Sequence, residues 1–425
     1  MKKLLLVVAL LFATSMLFSQ ALISSQGGRN GNNGNKDCVD CSEDFIKQVP
    51  TTPAPTSVNF VQINTNEIYQ QGYDNEAKVE QKGGGNFSDI DQTGEYLFTG
   101  YFSGNRYYRD GDENVANVDQ EGIQNWSQIE QRGNENDADV DQEGFQNVSM
   151  IEQLGDDNET DVDQDGDNNF GMVFQDGEDN DADIEQDGDD NYANQSQIGD
   201  DNDADIEQDG DDNVAYQSQT GNNNDADIEQ DRDGNYADQS QTGNDNDADI
   251  EQDGDDNVAF QSQTGNNNEA DIEQDSFMFW RSDDNYAAQT QTGDDNKADI
   301  KQVGDDNIGV QTQTGDYNNA DLDQLGDDNF SMETQTSVTG STPGGDWFNN
   351  SRVFQDGTDN VSCVTQNVKK AGVFNYSYVM QLGHDNEAFI YQQACKNSNT
   401  SFTVQVGLDN MACVKQMGNM TVAQQ

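Results

Sequence analysis

The sequence predicts an all-β chain folded as a β-solenoid of stacked strand-turn-strand layers. Three observations predict it. First, one motif, Q-x-G-x-x-N-x-[A/S]-x-x-x-Q, recurs from about Val58 to the end, and each glutamine opens the next copy. Its glutamines fall eleven residues apart, as at Gln186, Gln197, Gln208, Gln219, Gln230, Gln241, Gln252 and Gln263. Second, the residues that follow each asparagine alternate in character with period two, the mark of a strand. Third, G-x-x-N is a turn signal, because glycine reaches positive φ and asparagine bends the chain by bonding its own backbone. No stretch beyond the first 21 residues has helical periodicity. One copy is a strand and a turn, so two copies make a 22-residue layer with two facing sheets.

Composition shows why such a chain needs a repeat. Its 425 residues carry 19 basic and 83 acidic side chains, a formal charge of −64, and only 32% are hydrophobic. A conventional core of this length needs more apolar residues, and composition alone would suggest disorder. A fixed period lets each unit bury surface against its neighbour instead. The charge excludes nucleic acid as a partner, since phosphate would be repelled. It favours divalent cations, basic surfaces or plain solubility.

The two strands of a layer differ. In copies reading DADIEQ, one face carries Asn202, Ala204, Ile206 and Gln208; in the alternate copies Asn213, Ala215, Gln217 and Gln219 share a face. With both faces inward, the interior is narrow and built from small and amide side chains. Layers stacked about 4.7–4.8 Å apart would let each amide bond its equivalents above and below.

The chain divides into three parts. Residues 1–21 read as a secretory signal peptide, with Lys2 and Lys3 before an apolar run too short to span a bilayer. Residues 22–57 are a Gly/Asn/Pro-rich linker. Residues 58–425 are the repeats, acidic over 58–341 and near neutral over 342–425. Five cysteines, Cys38, Cys41, Cys363, Cys395 and Cys413, leave at least one unpaired or paired between chains. Cys38 and Cys41 suit a local disulfide or a tether better than zinc. Cys363 and Cys413 fall two layers apart, beyond disulfide reach.

The doubled motif resembles the curlin repeat of bacterial curli fibre subunits, over about 360 residues. The resemblance implies a two-sheet β-solenoid, export through outer-membrane secretion machinery, and self-assembly into extracellular amyloid fibres of the cell surface that serve biofilm matrix and adhesion. Partners would be further copies of the chain or other curlin-like subunits. Carried over by position, the ladder residues are Gln186, Asn191, Gln197, Asn202, Gln208, Asn213, Gln219, Asn224, Gln230, Gln241, Asn246, Gln252, Asn257, Gln263 and Asn268. The turn glycines are Gly188, Gly199, Gly210, Gly221, Gly243, Gly254 and Gly265. The chain departs from curlin in having more layers, in Arg232 replacing one turn glycine, and in its acidity.

Two outer faces remain. One is a wall of carboxylates: Asp181, Asp183, Glu185, Asp203, Asp205, Glu207, Asp225, Asp227, Glu229, Asp247, Asp249 and Glu251. Like charges opposed across strands repel, so either cations, calcium best among them, condense on this oxygen-only face, or the wall is a solvated, solubilising surface. No cofactor is otherwise required. "DVDQDGDNNFGM" begins like an EF-hand loop, but its twelfth residue is Met172 and no helix flanks it. The other face bears Trp126, Val148, Phe170, Tyr192, Val214, Tyr236, Val258, Tyr286, Ile308 and Phe330. These stack and shield the sheet, make lateral contacts, or, with the strand phase reversed, form core. Insertions bring further aromatics, Tyr96, Phe98, Tyr101, Phe102, Tyr107, Tyr108, Trp347 and Phe348, as docking groups or tolerated loops.

Nothing points to an enzyme. His384 is the only histidine, and no nucleophile–base pair or phosphate loop appears. The sequence reads as a fibre-forming structural subunit. The alternative is a monomeric calcium-binding acidic β-solenoid acting as an adhesin or surface protein. An ice- or mineral-binding face, suggested by columns such as Thr290 and Thr292, is the weakest reading, because serine and threonine alternate irregularly along it.

Overall fold

A computed structural model describes residues 64–71, 75–93, 113–275, 284–340 and 347–418. The signal-peptide and linker readings, Cys38, Cys41 and the insertion aromatics from Tyr96 to Tyr108 lie outside the described residues. The described residues form 29 strands and no helix, from β1 (Thr65–Gln70) to β29 (Met411–Met417). The odd-numbered strands make a 15-stranded sheet, here the first sheet, and the even-numbered ones a 14-stranded second sheet. The chain alternates between the sheets, so each pair of strands is one turn of a β-solenoid. All pairings are parallel, as each strand meets the one a full layer away.

The pairing keeps like residues together. Between β10 (Asp181–Asp187) and β12 (Asp203–Asp209), Asp181 meets Asp203, Ala182 meets Ala204, Ile184 meets Ile206 and Gln186 meets Gln208. Burial alternates strictly along β12, with Ala204, Ile206 and Gln208 inward and the acids outward. In β13 (Val214–Thr220), Ala215, Gln217 and Gln219 are inward. The period-two pattern thus holds on both sheets, since a one-residue slip would bury every aspartate.

The interior is a set of single-residue columns along the solenoid axis. Ile184, Ile206, Ile228, Ile250, Ile272, Ile300 and Leu322 form the main aliphatic column, all fully buried. Facing alanines such as Ala193, Ala215, Ala237, Ala259 and Ala287 keep the sheets close. A satellite cluster lies beside the near-neutral layers, where Phe348 is fully buried with Val368, Val373 and Ala394, its ring edge-on to Tyr317 at 6.3 Å. Phe348 is therefore core rather than a docking aromatic: the residues beside it fold back over it and exclude water.

Cys363 and Cys413 both pair with Phe389, which places them two layers apart on one column. No disulfide joins the described cysteines.

Candidate functional site

The surface that sets this chain apart is a combination of inner amide ladders and two unlike outer faces. In the second sheet, Gln186 Nε2 donates to Gln208 Oε1 at 2.8 Å, Gln208 to Gln230 at 2.8 Å, and Gln230 to Gln252 at 2.8 Å. In the first sheet, Gln197 donates to Gln219 at 3.1 Å, Gln219 to Gln241 at 3.1 Å and Gln241 to Gln263 at 3.0 Å. The second proton of each amide is also used, as in Gln219 Nε2 to the Asp203 carbonyl at 2.6 Å. These ladder glutamines thus pair donors and acceptor, which buried amides require. The exception in the neighbouring column is Gln195 Oε1, which has no partner among the described residues because Val173 precedes it.

The asparagines also ladder between layers, as Asn224 Nδ2 to Asn202 Oδ1 at 2.9 Å and Asn246 Nδ2 to Asn224 Oδ1 at 3.0 Å, and they bond backbone groups besides. The peptide N–H of Asn213 donates to Asn191 Oδ1 at 2.9 Å, and Asn202 Nδ2 donates to Asn180 Oδ1 at 2.9 Å in the layer before. The same Nδ2 reaches the Gly221 carbonyl at 2.8 Å in the layer after. Asn191, Asn224, Asn246 and Asn268 likewise reach a turn carbonyl of the next layer, at 2.7–2.9 Å. Asn257 keeps the backbone bond to Asn235 Oδ1 at 3.0 Å. Most of these asparagines therefore bond adjoining layers rather than their own turn, because the stacking distance brings the next turn closer than a local loop would.

The turns need two left-handed residues each. Gly188, Gly199, Gly210, Gly221, Gly243 and Gly265 have φ of 123–129°, and the residue two places on, such as Asp201 or Asn223, has φ of 54–61°. Asp and Asn tolerate that region best after glycine, which explains the GDDN and GNNN spellings. Glycine is required for a second reason: a Cβ on Gly188 would sit 2.1 Å from the Gly210 carbonyl oxygen. At the exceptional turn, Arg232 takes φ 80° and Gly234 φ 75°. Gly254, next along the column, is not left-handed, a departure from the expected turn role; its carbonyl still accepts from Asn235 Nδ2 at 2.8 Å.

Outside the second sheet, the carboxylates stack in register: Asp183, Asp205, Asp227 and Asp249 form one column, and Glu185, Glu207, Glu229 and Glu251 another. Asp181, Asp203, Asp225 and Asp247 form a third. Partial burial between neighbours, then mutual repulsion, raises Asp205 and Asp249 to about 7 and Asp161, Asp163 and Asp271 to about 6. Asp181, Asp183, Asp203, Asp225, Asp227 and Asp247 are also raised, first by burial. Among the described residues, no group of three or more His, Cys, Asp or Glu converges to hold a metal ion. The wall is a row of parallel carboxylate columns. Three basic residues interrupt it further on: Lys297 meets Glu269, Lys301 meets Glu273 and Asp275, and Arg352 meets Asp321 at 3.4 Å.

Outside the first sheet, the aromatic column faces outward and is half-buried. Phe170, Tyr192, Tyr216, Tyr236, Phe260 and Tyr286 form a continuous staircase with ring centroids 5.0–6.0 Å apart. Tyr216 and Phe260 come from the next outward position along the strand and fill the steps where Val214 and Val258 stand in the column.

Sequence reasoning missed Glu333. It is fully buried and ends the run of glutamines Gln195, Gln217, Gln239, Gln261, Gln289 and Gln311 in an inner column that goes on to Val364 and Ile390. The signal was present, a single acid at an otherwise amide position in "METQTS".

A family model described as the curlin associated repeat matches residues 64–94, 111–144, 133–166, 166–199, 199–231, 233–254 and 243–275. No curated protein compared with the chain matches it. The solenoid continues with the same ladders beyond the last of these repeats, through Gln302, Gln324, Gln355, Gln381 and Gln405.

Proposed function

The chain belongs to the curlin family, a family of structural proteins, and from that premise we propose that it is a secreted subunit that self-assembles into extracellular, curli-like amyloid fibres. In this reading it leaves the cell by its signal peptide and outer-membrane secretion machinery, and its fibres serve matrix and adhesion. It polymerises with itself or with other curlin-like subunits.

One observation carries the reading: among the described residues, each sheet ends in ladder donors on one side and ladder acceptors on the other. The sheets have 15 and 14 strands, which leaves the second sheet one strand short when β1 of a next copy stacks on β29. β28 (Asn399–Leu408) and β29 end the two sheets on one side, with Gln405 and Gln416 in the ladder columns. β1 and β2 (Glu76–Gly84) end them on the other, with Gln70 and Gln81 in the same columns. Every ladder glutamine donates toward the higher-numbered layer, as from Gln70 to Gln92 and from Gln392 to Gln416. One end therefore presents donors where the other presents acceptors, in the order that head-to-tail stacking uses. Val414 would meet Ile68 as Val364 meets Ile390 within the chain.

The in-register carboxylates favour a second reading, a monomeric acidic solenoid that binds calcium and acts as an adhesin. One experiment separates the two. The chain lacking residues 1–21 is incubated with millimolar calcium and with a chelator, then seeded with sonicated product. Sediment with reflections near 4.7 and 10 Å, and a lag abolished by seeds, is expected. A soluble β-rich monomer under both conditions would overturn the fibre reading.

A further inference from the structure

The two outer faces differ so strongly that they assign a direction of lateral contact. On the seven first-sheet strands from β11 (Tyr192–Ile198) to β23 (Phe330–Thr336), Asp238 is the one charged outward side chain. On the second-sheet strands alongside, from β10 to β18 (Glu269–Asp275), every outward side chain is a carboxylate. We propose that two copies of this chain pair through the outward face of β11–β23, neutral face on neutral face, with both acidic walls outside.

Charge decides which face can pair. Contact through the second sheet would press two carboxylate walls together. Contact through the first places the walls about 30 Å apart, three sheet spacings of about 10 Å. That is well beyond the Debye length of about 8 Å in physiological salt. The acidic turns, such as Asp200–Asp201 and Asp211–Asp212, then form a polar rim around the contact.

The face itself suits a flat, self-complementary contact. One half is the aromatic staircase; the other is paired hydroxyls in register, Ser218 and Thr220 over Ser240 and Thr242, then Ser262 and Thr264, Thr290 and Thr292. These short side chains lose little rotamer freedom on docking. A two-fold axis along the strands lays aromatic half on aromatic half and hydroxyl half on hydroxyl half, an isologous contact. Seven strands at about 4.8 Å by seven residues at about 3.3 Å cover roughly 750 Å² per copy. That approaches the roughly 800 Å² per partner of a standard stable interface.

The inference does not depend on fibre formation, and the test keeps the two apart. Sedimentation equilibrium of the soluble chain lacking residues 1–21 gives its mass, and electron microscopy of any fibres gives mass per length. The expected values are twice the chain mass and two solenoids per cross-section. Thr242→Asp, Thr264→Asp and Thr292→Asp, combined at exposed positions of one column, should halve both values while the β-sheet circular dichroism persists. The Thr→Ser triple at the same sites should keep them. If the Asp triple loses its β-sheet signal, Thr264→Asp alone, on the middle strand, reads the same loss of pairing. Single-chain mass and single-solenoid fibres in the wild type, or unchanged pairing in a folded Asp variant, would overturn the proposal. A paired species that never seeds would support it while removing the fibre reading.

Discussion

Gln311 Nε2 donates to Glu333 Oε1 at 3.4 Å, and there a run of buried glutamines ends on an acid. The other oxygen, Glu333 Oε2, has no hydrogen-bond partner among the described residues. Full burial raises the Glu333 carboxyl from 4.5 to about 8. The folded chain therefore holds a proton that the unfolded chain releases near 4.5, so stability is greatest below that pH and falls as pH rises toward 8. Glu333→Gln supplies an amide that needs no proton. It should stabilise the chain by about 1–3 kcal/mol at pH 8, the scale of an unsatisfied buried polar group. Urea unfolding at pH 5 and pH 8 checks this, and an equal gain at both would show that the proton is irrelevant.

The acidic wall gives a second pH dependence of the same sign. Asp205 and Asp249 are raised to about 7, chiefly by partial burial and then by stacked neighbours such as Asp227. Raised carboxylates bind protons more tightly when folded, so stability increases as pH falls from about 7 toward 4. Added salt should reduce the repulsive part of the effect, because screening weakens like-charge pairs. Asp205→Asn, Asp227→Asn and Asp249→Asn together should raise stability at pH 8 by about 0.2–1 kcal/mol per stacked pair removed. Melting temperatures at pH 5 and pH 8, at low and high salt, measure it; a variant that melts with the wild type at pH 8 would show the wall to be fully solvated.

Much of this architecture was legible because a solenoid applies one local rule repeatedly. Gln208, Asn213 and Gly210 recur at fixed spacing, and the alternation of Ala204, Ile206 and Gln208 with Asp205 and Glu207 sets which face is inward. What was not legible depends on the neighbouring layer. The bond from Asn202 to Gly221 joins residues 19 apart, a distance no local turn rule covers. Phe348 reads as an exposed insertion residue until Val368, Val373 and Ala394, far along the chain, close over it. Glu333 occupies a position that holds Val173 in one layer and Gln195 in the next, so its burial follows from register rather than residue type.

Gly221 and Gly372 separate the two reasons for glycine in this fold. Both have positive φ, 125° and 80°. A Cβ on Gly372 would meet nothing within 4 Å, whereas one on Gly221 would lie 1.8 Å from the Gly243 carbonyl oxygen. Gly372→Ala should therefore cost only the left-handed strain, about 1–2 kcal/mol. Gly221→Ala carries that strain and must also push the next turn away. This opens the Asn202 bond to the Gly221 carbonyl and the bond from the Gly243 N–H to the Thr220 carbonyl at 2.8 Å. It should cost more than Gly372→Ala by at least the roughly 1–3 kcal/mol of one orphaned buried group. Hydrogen exchange locates the damage: protection should fall at Gly243 and in the strands flanking that turn while distant layers stay protected. Equal costs for the two alanine variants would mean that strain alone, and not the contact between layers, keeps glycine at the turns.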